Sequence, residues 1–119
     1  MGLRNKVFAL GLLAFALLWG IANMANAQQT FGSIYGTITD PSGSAVANAT
    51  VTITDVSKGF NYTAQTDNGG IFTVKNLPPA TYKERVEAPG FTPFERNNIV
   101  LEVNGNVEAS ANLELVSTG

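Results

Sequence analysis

Neither cysteine nor histidine occurs anywhere in the chain. Without cysteine there is no disulfide framework, no thiolate nucleophile and no thiolate-held zinc or iron–sulfur site. Without histidine the usual imidazole base and the commonest transition-metal ligand are gone as well. Most hydrolase, metallopeptidase and redox constellations are thereby excluded. Charge is also scarce, with seven basic and nine acidic residues among 119. A phosphate backbone is held by clustered Lys and Arg, so nucleic acid is not an expected partner. The length allows one small domain.

The one long apolar run lies at the front. Arg4 and Lys6 precede Val7–Ala22, which is followed by Asn23-Met24-Ala25-Asn26-Ala27. A basic start, an apolar middle and a small-x-small site are the order of a secretory signal peptide. The run is shorter than the roughly 20 apolar residues a membrane-crossing helix wants. Cleavage after Ala27 is therefore expected, with a retained anchor as the alternative. Residues 1–27 then form the signal and residues 28–119 the exported domain. That domain keeps all nine acids and five of the seven bases, for a net charge of −4.

From Phe31 onward the apolar residues recur every second position. Ile34, Gly36 and Ile38 share one parity, as do Val51 and Ile53, Tyr62, Ala64 and Thr66, and Phe72 and Val74. Tyr82, Val86 and Ala88 follow, then Ile99, Leu101 and Val103, and last Val107, Ala109, Ala111, Leu113 and Leu115. Such alternation marks strands with one buried and one wet face. Threonine on many of the polar positions suits a pleated surface. Between the runs stand turn signals: Asp40-Pro41-Ser42-Gly43, Lys58-Gly59, Asp67-Asn68-Gly69-Gly70, Leu77-Pro78-Pro79-Ala80 and Asn104-Gly105-Asn106. Asp67–Gly70 and Asn104–Asn106 both read as hairpin turns. Seven short runs with polar outer faces predict an all-β, seven-stranded antiparallel β-sandwich. Its open edges can add a partner's strand, and the last run, with carboxylates but no lysine on its polar parity, is the candidate edge.

Glu84 breaks the pattern, because counting by two from Tyr82 places it inward. A buried unpaired carboxylate is costly and tends to keep its proton. Either the strand begins near a sheet edge, or a bulge between Tyr82 and Val86 turns Glu84 outward; the functional alternative is a site acid. Glu84 and Glu95 exist by count as a carboxylate pair, but nothing in the sequence fixes their separation. Lys58 and Lys75 fall near turns or outer faces, unlike the buried lysine of a Ser-Lys arrangement. Tyr35 and Phe60 are the candidate aromatic platform for a sugar. The oxygens of Asp67–Gly70 are too few for a calcium site and are read as a turn. No catalytic, cofactor-binding or metal-ligating residue is assigned, and no cofactor is expected.

The ordered set Tyr35–Gly43, Ala49–Ile53, Thr66–Phe72, Asn76–Tyr82 and Val86–Phe91 resembles the carboxypeptidase regulatory-like domain, and with the strands to about Leu115 it covers nearly all of the exported chain. The resemblance implies a transthyretin-like (prealbumin-like) sandwich. It further implies a non-catalytic interaction or scaffold module, periplasmic or associated with the bacterial outer membrane. Such domains precede the plug and barrel of TonB-dependent receptors, so a periplasmic or outer-membrane protein is the expected partner. Related sandwiches belong to carbohydrate-binding-like folds, which makes a carbohydrate-binding module the alternative. Two positions depart from the family's pattern. Glycine is usual where Ala80 stands, so a positive φ there would be strained. An apolar residue is usual where Glu84 stands.

Overall fold

The first six runs of alternation each become one strand, and the last becomes two, in the computed structural model, which describes residues 30–117; the expected signal peptide lies outside the described residues. The strands are β1 (Gly32–Thr39), β2 (Thr50–Asp55), β3 (Asn61–Gln65), β4 (Ile71–Leu77), β5 (Ala80–Glu87), β6 (Phe94–Leu101), β7 (Asn106–Glu108) and β8 (Ala111–Asn112). They form two sheets. In the first, β1 lies between β4 and the short pair β7 and β8; the second has the order β3-β2-β5-β6. The inward parities meet between the sheets. Ile34, Ile38, Phe72 and Leu77 from the first pack with Val51, Ile53, Tyr82, Val86 and Leu101 from the second, all almost completely buried. At roughly 1.5–3 kcal/mol for each large apolar side chain buried, this core supplies the main drive to fold.

The loops are built by three aspartates using one device. The Asp40 carboxylate accepts from the Ser42 and Ser44 N–H groups, and that of Asp55 from the Ser57 and Lys58 N–H groups. Asp67 accepts from the Gly69 and Ile71 N–H groups. A short acceptor side chain satisfies the inner N–H groups of a tight turn and fixes its shape. Gly70 is required at its position on two counts. Its φ is +74°, and a Cβ there would sit 2.5 Å from the Ile38 carbonyl oxygen.

Several details depart from expectation. The turns Asp67–Gly70 and Asn104–Asn106 do not close hairpins: β3 and β4 belong to different sheets, and so do β6 and β7. Both turns carry the chain across the sandwich, and Pro78-Pro79 does the same between β4 and β5. The last run is not one antiparallel strand. It is split into β7 and β8, and both pair parallel to β1. The reason is directional. β6 ends beside the start of β5, so the chain crosses at the end of the sandwich where β1 begins and then runs alongside β1 in the same direction.

At the split, Ala109 and Ser110 step out of the ladder, yet hydrogen bonding to β1 continues. The Ala109 N–H donates to the Tyr35 carbonyl at 2.7 Å, the Thr37 N–H to the Ser110 hydroxyl at 2.9 Å, and the Leu113 N–H to the Thr39 carbonyl at 2.7 Å. Gly36 permits this approach, since a Cβ would lie 2.8 Å from the Ser110 nitrogen. Beyond the ladder the chain binds the loop after β5, where the Thr92 N–H donates to the Glu114 carbonyl and the Val116 N–H to the Gly90 carbonyl. The described chain thus starts at one end of the sandwich and finishes at the other.

Val103 and Leu115 keep the expected spacing but both are exposed, Val103 past the end of β6 and Leu115 in a lone bridge to Phe91. The expected strain at Ala80 is absent. Among the described residues, the left-handed non-glycine positions are instead four asparagines, Asn48, Asn76, Asn98 and Asn104, the residue type that tolerates that region best after glycine.

Candidate functional site

Glu84 stays inside. It is 1 % exposed and sits on β5, between β2 and β6, opposite Ile53 on one side and Arg96 on the other. This corrects both expected escapes. β5 is a central strand, and although the register shifts between Tyr82 and Glu84, the extra residue belongs to β6. Asn98, at φ +60°, absorbs the shift, so β5 keeps its strict alternation.

Both Glu84 carboxyl oxygens are buried without a hydrogen-bond partner. Arg96 Nη1 approaches Oε1 to 3.6 Å, close enough for attraction but too far for a hydrogen bond. Burial pushes the Glu84 carboxyl up to about 7 against the opposing pull of Arg96. The guanidinium itself bridges the sandwich, with Nη2 donating to the Ser110 carbonyl at 2.7 Å and the group lying 5.2 Å from the Phe94 ring centroid. Arg96 therefore ties β6 of one sheet to the β7–β8 link of the other, directly over the buried acid. The sequence pattern missed Arg96, because the residues from Phe94 to Asn98 follow no clean alternation.

The remaining candidates are dispersed. Glu95 lies on the outer face, ion-paired with Arg85, which also pairs with Glu87. Glu84 and Glu95 thus occupy opposite faces of the sheet and form no carboxylate pair. Around the Arg85 cluster is a shallow polar hollow of about 390 Å³ that also takes in Thr52, Asn61 and Asn97. Its one guanidinium is already neutralised by two carboxylates. Lys58 and Lys75 are exposed. Tyr35 lies on the outer face of β1 in the first sheet, whereas Phe60 stands at the β2–β3 turn of the second, so the two rings make no shared platform.

Two buried polar groups are structural. The Tyr82 hydroxyl donates to the Pro78 carbonyl, and burial, with Tyr62 and Asp55 nearby, pushes its pKa up to about 12. The Thr66 hydroxyl donates to the Val46 carbonyl and accepts from the Ala49 N–H. Among the described residues no group of three or more Asp or Glu is placed to hold a metal ion.

Comparison with known proteins follows the same outline. A family model described as the carboxypeptidase regulatory-like domain matches residues 33–115. The chain is 31% identical over 103 residues to the TonB-dependent transporter Oar of Myxococcus xanthus, a stretch covering 86% of this chain and 9% of that protein. The chain therefore corresponds to a small part of its much longer relative.

Among solved structures, catechol 1,2-dioxygenase of Acinetobacter radioresistens has a TM-score of 0.62 at 12% identity, over 78% of this chain and 54% of that one. A putative carbohydrate binding protein from Bacteroides uniformis has a TM-score of 0.52 at 23% identity, over 71% of this chain and 40% of that one. At these identities the likeness is one of fold.

Proposed function

The chain belongs to the carboxypeptidase regulatory-like domain family, and on that premise we propose that it is a non-catalytic exported scaffold or interaction module of the kind that stands ahead of the plug and barrel in TonB-dependent receptors. The match to the Myxococcus xanthus transporter carries this reading, together with the family model, which spans residues 33–115 and so runs through the described strands and not through one motif. Residues 1–27 act as the signal peptide in this proposal, and residues 28–119 are the domain delivered to the periplasm or outer membrane. The finer fold assignment is transthyretin-like, with β7 and β8 counted as one interrupted seventh strand. A periplasmic or outer-membrane protein is the proposed partner. A glycan ligand has only the fold-level likeness to the Bacteroides uniformis protein behind it, without a pair of adjacent rings.

The test is to produce the full chain with a C-terminal tag in a Gram-negative host, fractionate the cells and read the N-terminus by mass spectrometry. The expected product begins at Gln28, leaves the cytoplasm and crosslinks to a TonB-dependent receptor or its periplasmic apparatus. An uncleaved cytoplasmic chain with no such crosslink overturns the proposal.

A further inference from the structure

Among the described residues the two sheets present four edges, and three of them carry guards against strand addition. On the outer edge of the first sheet, β4 carries Lys75 and the left-handed Asn76, and its pairing with β1 shifts register near Gly32. At the other edge of that sheet, β7 and β8 have three and two residues with a break between them. In the second sheet, β6 is preceded by Pro93, bears Glu95 and Arg96, and is bent at Asn98. The fourth edge, β3, reads Asn61-Tyr62-Thr63-Ala64-Gln65. It has no charge, no proline and no glycine, and it pairs with β2 over five consecutive positions without a shift.

The groups β3 leaves free can be assigned. The Phe60 carbonyl accepts from the Asp55 N–H, and the Thr66 N–H donates to the Ala49 carbonyl, so the even-numbered residues direct their backbone groups toward β2. In an antiparallel ladder successive residues point their N–H and C=O groups to opposite sides. Asn61, Thr63 and Gln65 therefore turn theirs outward, and the side chains of all three are exposed on the outer face.

We propose that β3 is a self-association edge, adding the β3 of a second copy of this chain in antiparallel register about a two-fold axis at Thr63. In that register Thr63 faces its own copy and Asn61 faces Gln65 in both directions. These are three hydrogen-bonding pairs, and no charge opposes its like. The inward residues Tyr62 and Ala64 then alternate large against small across the seam. A register centred elsewhere on the outward-facing residues leaves at least one of these pairs unmade, so the sequence of the strand is complementary to itself. Threonine pairs across strands are favourable contacts, and stacked Asn and Gln side chains add to strand association. The Asn61 amide oxygen already accepts from the Thr54 hydroxyl, which leaves its NH2 group to donate to Gln65. The product is one continuous eight-stranded sheet made from the two β3-β2-β5-β6 sheets. This inference is independent of the receptor reading and needs only the fold.

The experiment uses the exported chain at a series of concentrations in sedimentation velocity, together with Thr63→Lys and Thr63→Glu. Residue 63 is exposed, so each variant keeps the circular dichroism spectrum of the parent. The parent is expected to dimerise reversibly. Either charge alone weakens the dimer about fivefold, because like charges then face each other across the axis. An equimolar mixture of the two variants recovers association. A parent that stays monomeric, variants that associate as well as the parent, or a mixture that fails to recover would each overturn the proposal. So would a monomer that takes only a foreign strand peptide at this edge.

Discussion

Replacing Glu84 by glutamine tests the largest electrostatic irregularity in the molecule. The carboxyl is ordinarily near 4.5 and in the folded chain is raised to about 7, chiefly by burial. In the unfolded chain it ionises first. Between the two values the native state therefore holds a proton that the unfolded state has lost, and stability falls as pH rises. The contribution is fully present below about pH 4.5 and is gone once the pH has passed about 7.

At about 1.4 kcal/mol per pH unit, the loss across that interval is about 3 kcal/mol. That is a large share of the roughly 5–15 kcal/mol that holds small domains together. Asp40 and Asp55 do not obscure this slope. Donors from Ser42 and Ser44 lower the Asp40 carboxyl; at Asp55 burial pushes upward but is outweighed by donors from Lys58 and Ser57. Their contributions are therefore present above pH 3.8 and are lost only as pH falls below it. Urea unfolding at pH 5, 6, 7 and 8 (roughly two steps on the slope and two at its end) should show the parent weakening with pH. Glu84→Gln should be nearly flat over the same range and should gain on the parent at pH 8. Equal slopes for the two proteins, or a parent that strengthens from pH 5 to 8, would refute the placement of an unbonded acid between the sheets.

Three other outcomes follow from the packing. Arg96→Met removes the described cation beside Glu84, so the carboxyl keeps its proton past pH 7. The pH-dependent cost is about 1.4 kcal/mol at pH 8, the one pH unit between 8 and about 7, and close to nothing at pH 5, a difference that a pair of urea titrations reads directly. Thr66→Val removes a buried donor to Val46 and an acceptor for Ala49, and thermal unfolding should register a loss of about 2 kcal/mol. Gly70→Ala forces a side chain into a left-handed turn and against the Ile38 carbonyl. It should lower the melting temperature far more than Gly43→Ala, where φ is also positive but the space is open.

How much could be read from the sequence follows physical lines. The inward faces of β1, β2, β4 and β5 were legible because strand periodicity depends only on local spacing. The Asp40 and Asp67 turns were legible for the same reason, since an aspartate bonding its own loop is a short-range event. The route of the chain after each turn was not. Asp67–Gly70 has the same local chemistry whether the next strand returns alongside or crosses to the other sheet, and only the packed core decides between them. β6 was obscured because Asn98 shifts its register and spoils the alternation around Arg96. The position of Glu84 was indicated correctly by parity alone. The expectation that it would escape came from its cost, and that cost is what Arg96 and its tie to Ser110 partly offset.

The parallel pairing of β1 with β7 and β8, with the described chain beginning at one end of the sandwich and finishing at the other, gives the domain a mechanical character. Tension drawn between those two ends would not peel the ladder open rung by rung. It would slide β1 lengthwise against its neighbours, so that the bonds from Ser33 to Thr39 share the load together and yield as a set. The bridge made by the Ser110 hydroxyl would then matter beyond its own strength, because it leaves no gap in the seam at which shear could start.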